Sequence, residues 1–586
     1  MPGCCSARWV FLFAVVGCAC ALISTPHAAQ SQDQTNGDSV TYPVDGVVEN
    51  SLTHRPIARV LVSGTSDEVL TDNQGRFELH LPAGPMEIRL RRPGYGSGGF
   101  MSAMRDTTRR VKVVAGMAPL TLDLTPAASI VAHLTLSSGD EPDGIRFTLY
   151  RKQVSNGYAQ WVPAGNAVSD SQGEVRFPAV DAPASYIFCS QTSPDRVGLT
   201  APDVPTFGYP TLCFPGGVEF ASAVAAPLKL DPAQQAAFDL DLERQPFYAV
   251  TISVAGSGQG PAPFVQVHSQ TGEQAGFGAV REGRGGPTVL HLPNGRYYAE
   301  VTLANGPNGP ESRRYARVDF TVAGGPITGL TLVPVPMQPL SVEIRRDFTA
   351  SASQSGQPGS SVVAPGNLLD DSSPGVNLAL VPLDTPMAAT MGGNLRHDPS
   401  APNGDFYLWD VSSQGRFRVE VSSFGQYYVS SITSGAADLT REPLVIDEGG
   451  SAQPIEIVLR NDMGQLACTY APPPSSTAGS VANELDPVIV YAIPLYPGIE
   501  RIPQGIAQLP GRPSFSFPLP PGSYLVVGTL GSQQLDLNDP EVMARLTAAG
   551  QKVTIQSGET ATVALDKLFG GDETGKSNSA SSEANQ

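Results

Sequence analysis

Apolar and polar residues alternate one by one over short runs along most of this chain, which is the period of a half-buried β-strand. Phe77, Leu79 and Leu81 share one face while Arg76, Glu78 and His80 share the other. Pro82, Ala83 and Gly84 then turn the chain, after which Met86, Ile88 and Leu90 alternate with Glu87, Arg89 and Arg91. This pattern predicts a hairpin with a single buried face. It recurs as SDSQGEVRFPAV at 169–180, VLHLPNGRYYAEV at 289–301, SQGRFRVEV at 413–421 and SFSFPLPPGSYLVV at 514–527.

Gly84, Gly295 and Gly522 hold equivalent places in these repeats; with one copy inside each interval the period is about 110 residues, the size of an Ig-like sandwich. The expected architecture is all-β, a tandem array of about five Ig-like or prealbumin-like sandwiches over 42–125, 126–245, 246–337, 338–460 and 461–569. Alternating Phe238 to Glu243 ends one unit before Tyr248 to Val254 opens the next. Asp239, Asp241 and Glu243 in that run read as a solvated strand face rather than a calcium cluster. A Ser/Gly/Pro-rich segment, 349–375, reads as a flexible insertion in the fourth unit, and 570–586 as a disordered tail. One short helix is signalled near the end, with Asn538 or Asp539 as N-cap, Pro540 and Glu541 in the first turn and Gly550 as the stop. It is expected to cover the edge of the last sandwich, with Lys552 to Gln556 and Thr560 to Leu565 following as a strand pair.

Composition agrees with many turns and multiple cores, since the 586 residues include 61 Gly and 53 Pro. A formal charge of −18 with only 37 Lys plus Arg argues against nucleic acid or an anionic membrane as partner. Arg8, the apolar run Trp9 to Ile23 and small Ala28 and Ala29 predict an export signal over 1–29. An alternative is lipidation at Cys18, in Val15-Val16-Gly17-Cys18. No later segment is apolar over the ~20 residues that span a bilayer. The expected location is therefore periplasmic, cell-surface or secreted.

Of the seven cysteines, Cys189, Cys213 and Cys468 follow the signal. Cys189 and Cys213 fall in one unit and are a candidate disulfide, two buried thiols being the other reading. No Cys-x-x-Cys pair offers a zinc or redox site, and no Gly-x-Ser-x-Gly or Ser-x-x-Lys string offers a nucleophile. His54, His80, His133, His268, His291 and His397 are scattered over different units and read as surface residues; His397-Asp398 is a weak ligand pair. Gly570, Gly575, Lys576 and Ser577 satisfy a phosphate-loop spacing, but no helix pattern follows to aim its N-terminus at an anion. Neither catalytic residue nor cofactor nor metal site is expected. The partner is expected to be a carbohydrate or an envelope protein, because flat aromatic rings stack on sugars. Trp161, with Tyr158 in a segment outside the clean alternation, is the candidate platform, its core and platform roles both open. Trp409 reads as core, while Tyr297-Tyr298 and Tyr427-Tyr428 each place one ring in and one out.

One stretch has a family likeness. VDGVVENSLTHRPIARVLVSG, TDNQGRFELHLPAG and Pro93-Gly94-Tyr95, all within Val44 to Tyr95, resemble the carboxypeptidase regulatory-like domain, a transthyretin-like or prealbumin-like β-sandwich. The resemblance implies an extracytoplasmic accessory module related to carbohydrate-binding-like folds. It does not imply peptidase activity, since no histidine here is followed by Glu three residues on. The reading is a non-enzymatic exported scaffold for binding or spacing at the cell envelope. A cryptic hydrolase and, further behind, an outer-membrane barrel are the alternatives.

Overall fold

The computed structural model describes residues 41–569 except 66, 97–106, 156, 196–205, 218, 257–262, 282–285, 305–312, 350–374, 385–390, 394, 402–404, 412, 424–426, 448–449, 471–487, 497–503, 508–513, 531–534 and 566–567. The export signal, nearly all of the Ser/Gly/Pro-rich insertion, the phosphate-loop spacing and the polar tail lie outside the described residues.

In the first unit seven strands form two facing sheets: β1 (Thr41–Asn50), β2 (Leu61–Ser63), β3 (Glu68–Leu70), β4 (Arg76–Pro82), β5 (Gly84–Arg91), β6 (Thr107–Val113) and β7 (Leu120–Leu124). The orders are β4-β1-β7 and β3-β2-β5-β6. In the first sheet β1 runs antiparallel to β4 and parallel to β7. The same central motif, an opening strand between an antiparallel neighbour and a parallel closing strand, recurs four times. Its opening strands are Ala128–Leu136, Tyr248–Val254, Leu340–Asp347 and Gly464–Tyr470. The chain is an all-β tandem array of Ig-like or prealbumin-like sandwiches.

The expected hairpin does not form. β4 and β5 belong to opposite sheets, so the Pro82-Ala83-Gly84 turn carries the chain across the core instead of back along the same sheet. Both arrangements need one inward face on each strand, so alternation alone cannot separate them. The equivalent turns behave alike, and Gln551–Ile555 and Thr560–Leu565 are likewise in different sheets, not a pair.

Two local devices repeat. In Thr71-Asp72-Asn73-Gln74-Gly75 the Asp72 carboxylate accepts the Gln74 and Arg76 N–H groups at 2.7 and 2.8 Å, and the buried Thr71 hydroxyl accepts the Val60 N–H at 2.9 Å. In Ser169-Asp170-Ser171-Gln172-Gly173 the Asp170 carboxylate accepts from Gln172 and Glu174, and Ser169 accepts from Ile145. Asp72 titrates below its ordinary value, chiefly because of the Arg76 N–H bond. Gly173 closes its turn at φ +80°, where an added Cβ would stand 2.2 Å from the Leu134 carbonyl oxygen. The second device is a tyrosine at the sheet-to-sheet turn. The hydroxyls of Tyr297 and Tyr524 donate to the carbonyls of Pro293 and Pro520, four residues earlier, at 3.1 and 2.7 Å, and Tyr186 donates to Asp181 at 2.6 Å.

Each sandwich closes over its own apolar core. Trp409 and Tyr407 are fully buried in the fourth. Tyr297, Tyr298, Tyr427 and Tyr428 are all buried as well, so neither pair keeps one ring in solvent. The C-terminal helix, Pro540–Ala549, is capped by the Asp539 carboxylate, as expected. It lies over the outer face of a sheet, with Leu546 on Tyr491, Ile493, Leu525 and Val527, rather than over an edge. A one-turn helix, Phe220–Ala223, has no signal in the sequence and plays the same covering role in the second sandwich. Asp239, Asp241 and Glu243 are exposed.

Successive sandwiches are joined by specific bonds. The Gly94 carbonyl accepts the Ala127 N–H at 2.9 Å between the first and second. The Thr206 carbonyl accepts the Phe247 N–H at 2.8 Å between the second and third. Asp462, between the fourth and fifth, accepts from Tyr428 at 3.0 Å and from Ser557 at 2.9 Å. Burial raises the Asp462 pKa, but these bonds and Arg460 prevail and hold it below the ordinary value. The array also folds back. Lys152 Nζ of the second sandwich pairs with Asp536 of the fifth at 2.9 Å, and the Gly157 carbonyl accepts the Leu537 N–H at 3.0 Å.

Candidate functional site

Trp161 and Tyr158 stand on the regular strand Tyr158–Val168, paired along its length with Arg146–Ser155. The expectation of an irregular segment is thereby corrected; Pro163 and Gly165 bracket a bulge that breaks the sequence pattern without ending the strand. Trp161 is half-buried and packs edge-on against Phe220, with centroids 6.3 Å apart, beside Tyr150 and the Cys189–Cys213 pair. Arg418 of the fourth sandwich lies 3.6 Å over the Tyr158 ring. One face of the Tyr158 ring is thus covered, while Trp161 stays partly exposed. Cys189 and Cys213 face each other across two antiparallel strands and form a disulfide. Cys468 is buried, which pushes its thiol up to about 12.

The arginine over Tyr158 belongs to a three-way junction. There the hairpin tip of the second sandwich, the strand Gly415–Ser423 of the fourth and the segment leading into the C-terminal helix border a shallow, open pocket of about 340 Å³. Asp536 is buried, so its pairing with half-buried Lys152 is screened less than a surface ion pair.

A larger cleft, about 440 Å³, opens between the third and fourth sandwiches. Register builds its floor. His268, Tyr298 and Asp319 stand in one cross-strand row, and Gln266, Glu300 and Arg317 in the next, on the outward face of one sheet. The Tyr298 ring is stacked on His268 and overlaid by Arg317, 3.8 Å from its centroid. Burial, then the Glu300 charge, pushes its hydroxyl up to about 12. Glu300 itself is raised by burial, but His268 at 3.4 Å, the Tyr315 hydroxyl at 2.9 Å and Arg317 prevail and hold it below the ordinary range. From the fourth sandwich come Met391, Phe417 and the Arg416–Asp384 pair, 3.5 Å apart. Paired guanidinium donors and carboxylate acceptors beside apolar side chains suit a hydroxyl-rich or mixed-charge ligand.

His268 and His291 are only partly exposed, against the surface expectation, whereas His54, His80, His133 and His397 are exposed. Sequence reasoning missed the cleft because Tyr298, Glu300, Arg317 and Asp319 come together only through strand register. The signal available was the alternation of Tyr298 and Glu300, which puts them on one face.

No family model matches the chain, the carboxypeptidase regulatory-like one included, and no curated protein matches it. Among solved structures it is similar to the Bacillus anthracis TIE protein at 14% identity and TM-score 0.15, over 50% of this chain and 51% of that one. It is similar to a Streptococcal ancillary pilin at 12% identity and TM-score 0.18, over 50% of this chain and 99% of that one. The shaft pilin SpaA from Lactobacillus rhamnosus GG aligns at 13% identity and TM-score 0.14, over 36% and 98%. The chain thus spans about half the length of the TIE protein, and at such TM-scores these likenesses carry no weight for function.

Proposed function

We propose that this chain is a non-enzymatic scaffold, exported to the cell envelope, that holds binding surfaces in a fixed arrangement. The observation that carries the reading is the three-way junction, which ties the second, fourth and fifth sandwiches together and makes the array a folded-back body instead of a flexible string. Among the described residues no helix is long and apolar enough to cross a membrane. Small-angle scattering of the chain from Gln30 onward tests the arrangement. A folded-back array is expected below ~35 Å in radius of gyration, approaching the ~25 Å of a compact chain this long. Five sandwiches end to end, each ~30 Å tall, would form a ~150 Å rod with a radius of about 45 Å, and that value would overturn the reading. Lys152→Glu, which sets two like charges against each other at Asp536, is expected to move the wild-type value upward.

The finer reading is recognition of a carbohydrate, and the cleft between the third and fourth sandwiches favours it. On a panel of soluble and insoluble polysaccharides, Arg416→Ala is expected to weaken binding at least ~10-fold, since a ligand hydrogen-bonded by a charged donor loses about 1.5–3 kcal/mol with it. Trp161→Ala, which removes a ring packed on Phe220, is expected to leave binding in place. Loss of binding in the tryptophan variant alone, with its fold intact, would return the site to the second sandwich.

A further inference from the structure

We propose that Glu49, His54 and Asp123 form a binding site for a divalent transition-metal ion of the Zn²⁺ class in the first sandwich. One ligand atom from each of the three side chains lies within 4.8 Å of the other two. Two come from the ladder that closes the sandwich, since Glu49 on β1 is directly opposite Asp123 on β7 in their parallel pairing. The third comes from the turn that follows β1.

That turn is built by backbone and by Asn50, leaving the imidazole uncommitted to its construction. The Asn50 side-chain oxygen accepts the N–H groups of Leu52 and Thr53 at 2.9 and 3.1 Å. The His54 N–H donates to the Asn50 carbonyl at 2.8 Å, and the Asn50 N–H to the Arg55 carbonyl at 2.9 Å. His54 itself sits at φ +51°.

The electrostatics favour a cation. Like charges directly opposite in a ladder destabilise it, and among the described residues neither carboxylate forms an ion pair with Arg or Lys. The Arg109 guanidinium donates to the Asp123 backbone carbonyl at 3.2 Å. An imidazole with two carboxylates matches the mixed nitrogen and oxygen preference of first-row ions such as Zn²⁺ and Mn²⁺. Ca²⁺ and Mg²⁺ prefer an all-oxygen shell. A tetrahedral Zn²⁺ needs donors about 3.4 Å apart, given bonds near 2.1 Å, so the side chains must close by roughly an ångström. His54 is exposed and both carboxylates are only half-buried, which leaves them room to move. Three protein ligands leave a coordination position for water or for a donor from another molecule, and the bound ion would clip the first strand of the sandwich to its last. The site stands apart from the scaffold reading and does not depend on how the sandwiches are arranged.

The test is calorimetric titration of ZnCl₂ into the chain from Gln30 onward, prepared without a histidine tag and stripped with chelator. One saturable site per chain in the micromolar range is expected, with no comparable heat from CaCl₂. His54→Asn keeps a residue that tolerates a left-handed backbone and removes the ligand; Glu49→Gln removes a charge and keeps the shape. Each is expected to weaken Zn²⁺ binding by about 10-fold or more, while His133→Asn, at an exposed histidine of the second sandwich, leaves it unchanged. Thermal unfolding with Zn²⁺ supplies a second readout, rising in the parent and in His133→Asn only. Absence of saturable binding by the parent, or binding that survives His54→Asn with circular dichroism unchanged, overturns the proposal.

Discussion

Replacing Trp409 with alanine is expected to destabilise the fourth sandwich by about 3–5 kcal/mol, the range for removing a large aromatic from a packed core. The indole is fully buried among Leu340, Tyr407 and Leu395, on the sheet whose opening strand it pairs with at Leu340. Packing there is tight enough that a Cβ on Gly393 would stand 2.3 Å from the indole nitrogen. That nitrogen has no hydrogen-bond partner among the described residues. Trp409→Phe, which keeps a ring and deletes an unpaired N–H, should therefore cost less than half as much. Calorimetry is the measurement, because separate sandwiches can melt as separate transitions and a single midpoint would be ill-defined. One transition is expected to fall by more than ~10 °C in the alanine variant while the others hold. Equal losses in the two variants would mean that the N–H is satisfied.

Removing the Cys189–Cys213 bond, by Cys→Ala at both positions or by reductant, is expected to destabilise the second sandwich by about 3 kcal/mol. The bond closes a loop with a sequence separation of 24, and freeing that loop enlarges the unfolded ensemble by about this amount. It also sits under a small apolar cluster of Ile187, Phe220 and Ala223, with Tyr150 and Trp161 packed against it. The effect can be read locally, since of the three tryptophans only Trp161 and Trp409 follow the expected signal. In a Trp409→Phe background the red shift of Trp161 fluorescence is expected at lower denaturant when the bond is absent. With Trp161 replaced by Phe instead, the Trp409 shift should not move. A denaturation midpoint indifferent to reductant would show that the pair contributes nothing to stability.

The same tryptophans show where sequence reading succeeds and where it stops. Trp409 follows a clean alternation with Tyr407, and alternation places both on the inner face, where they are. Trp161 precedes a bulge, which shifts the apparent period and makes a strand resemble a loop. Tyr158 is polar-faced by pattern, and only a residue 260 positions later, Arg418, covers its ring. For Tyr298 the covering groups are His268 and Arg317, on the two flanking strands. No local window contains those partners.

What the sequence by itself determined is the inventory of strands, the face of each that turns inward, and the punctuation between them. These are short-range properties: side chains alternate because the backbone is pleated, Asp72 and Asp170 bond N–H groups two and four residues ahead, and Asp539 caps the helix it precedes. What only the tertiary structure decided is which strands are neighbours. An inward-facing pair of strands buries the same apolar area whether it returns along one sheet or crosses to the other, so pattern leaves β4 and β5 undetermined. The crossing is selected by long-range ladders, above all the parallel pairing of first and last strands in every sandwich. Those ladders also bring Glu49 opposite Asp123, and register on the third sandwich brings Glu300 opposite Arg317. Each candidate site lies on such a pairing because the backbone hydrogen bonds that set it join residues far apart in the chain.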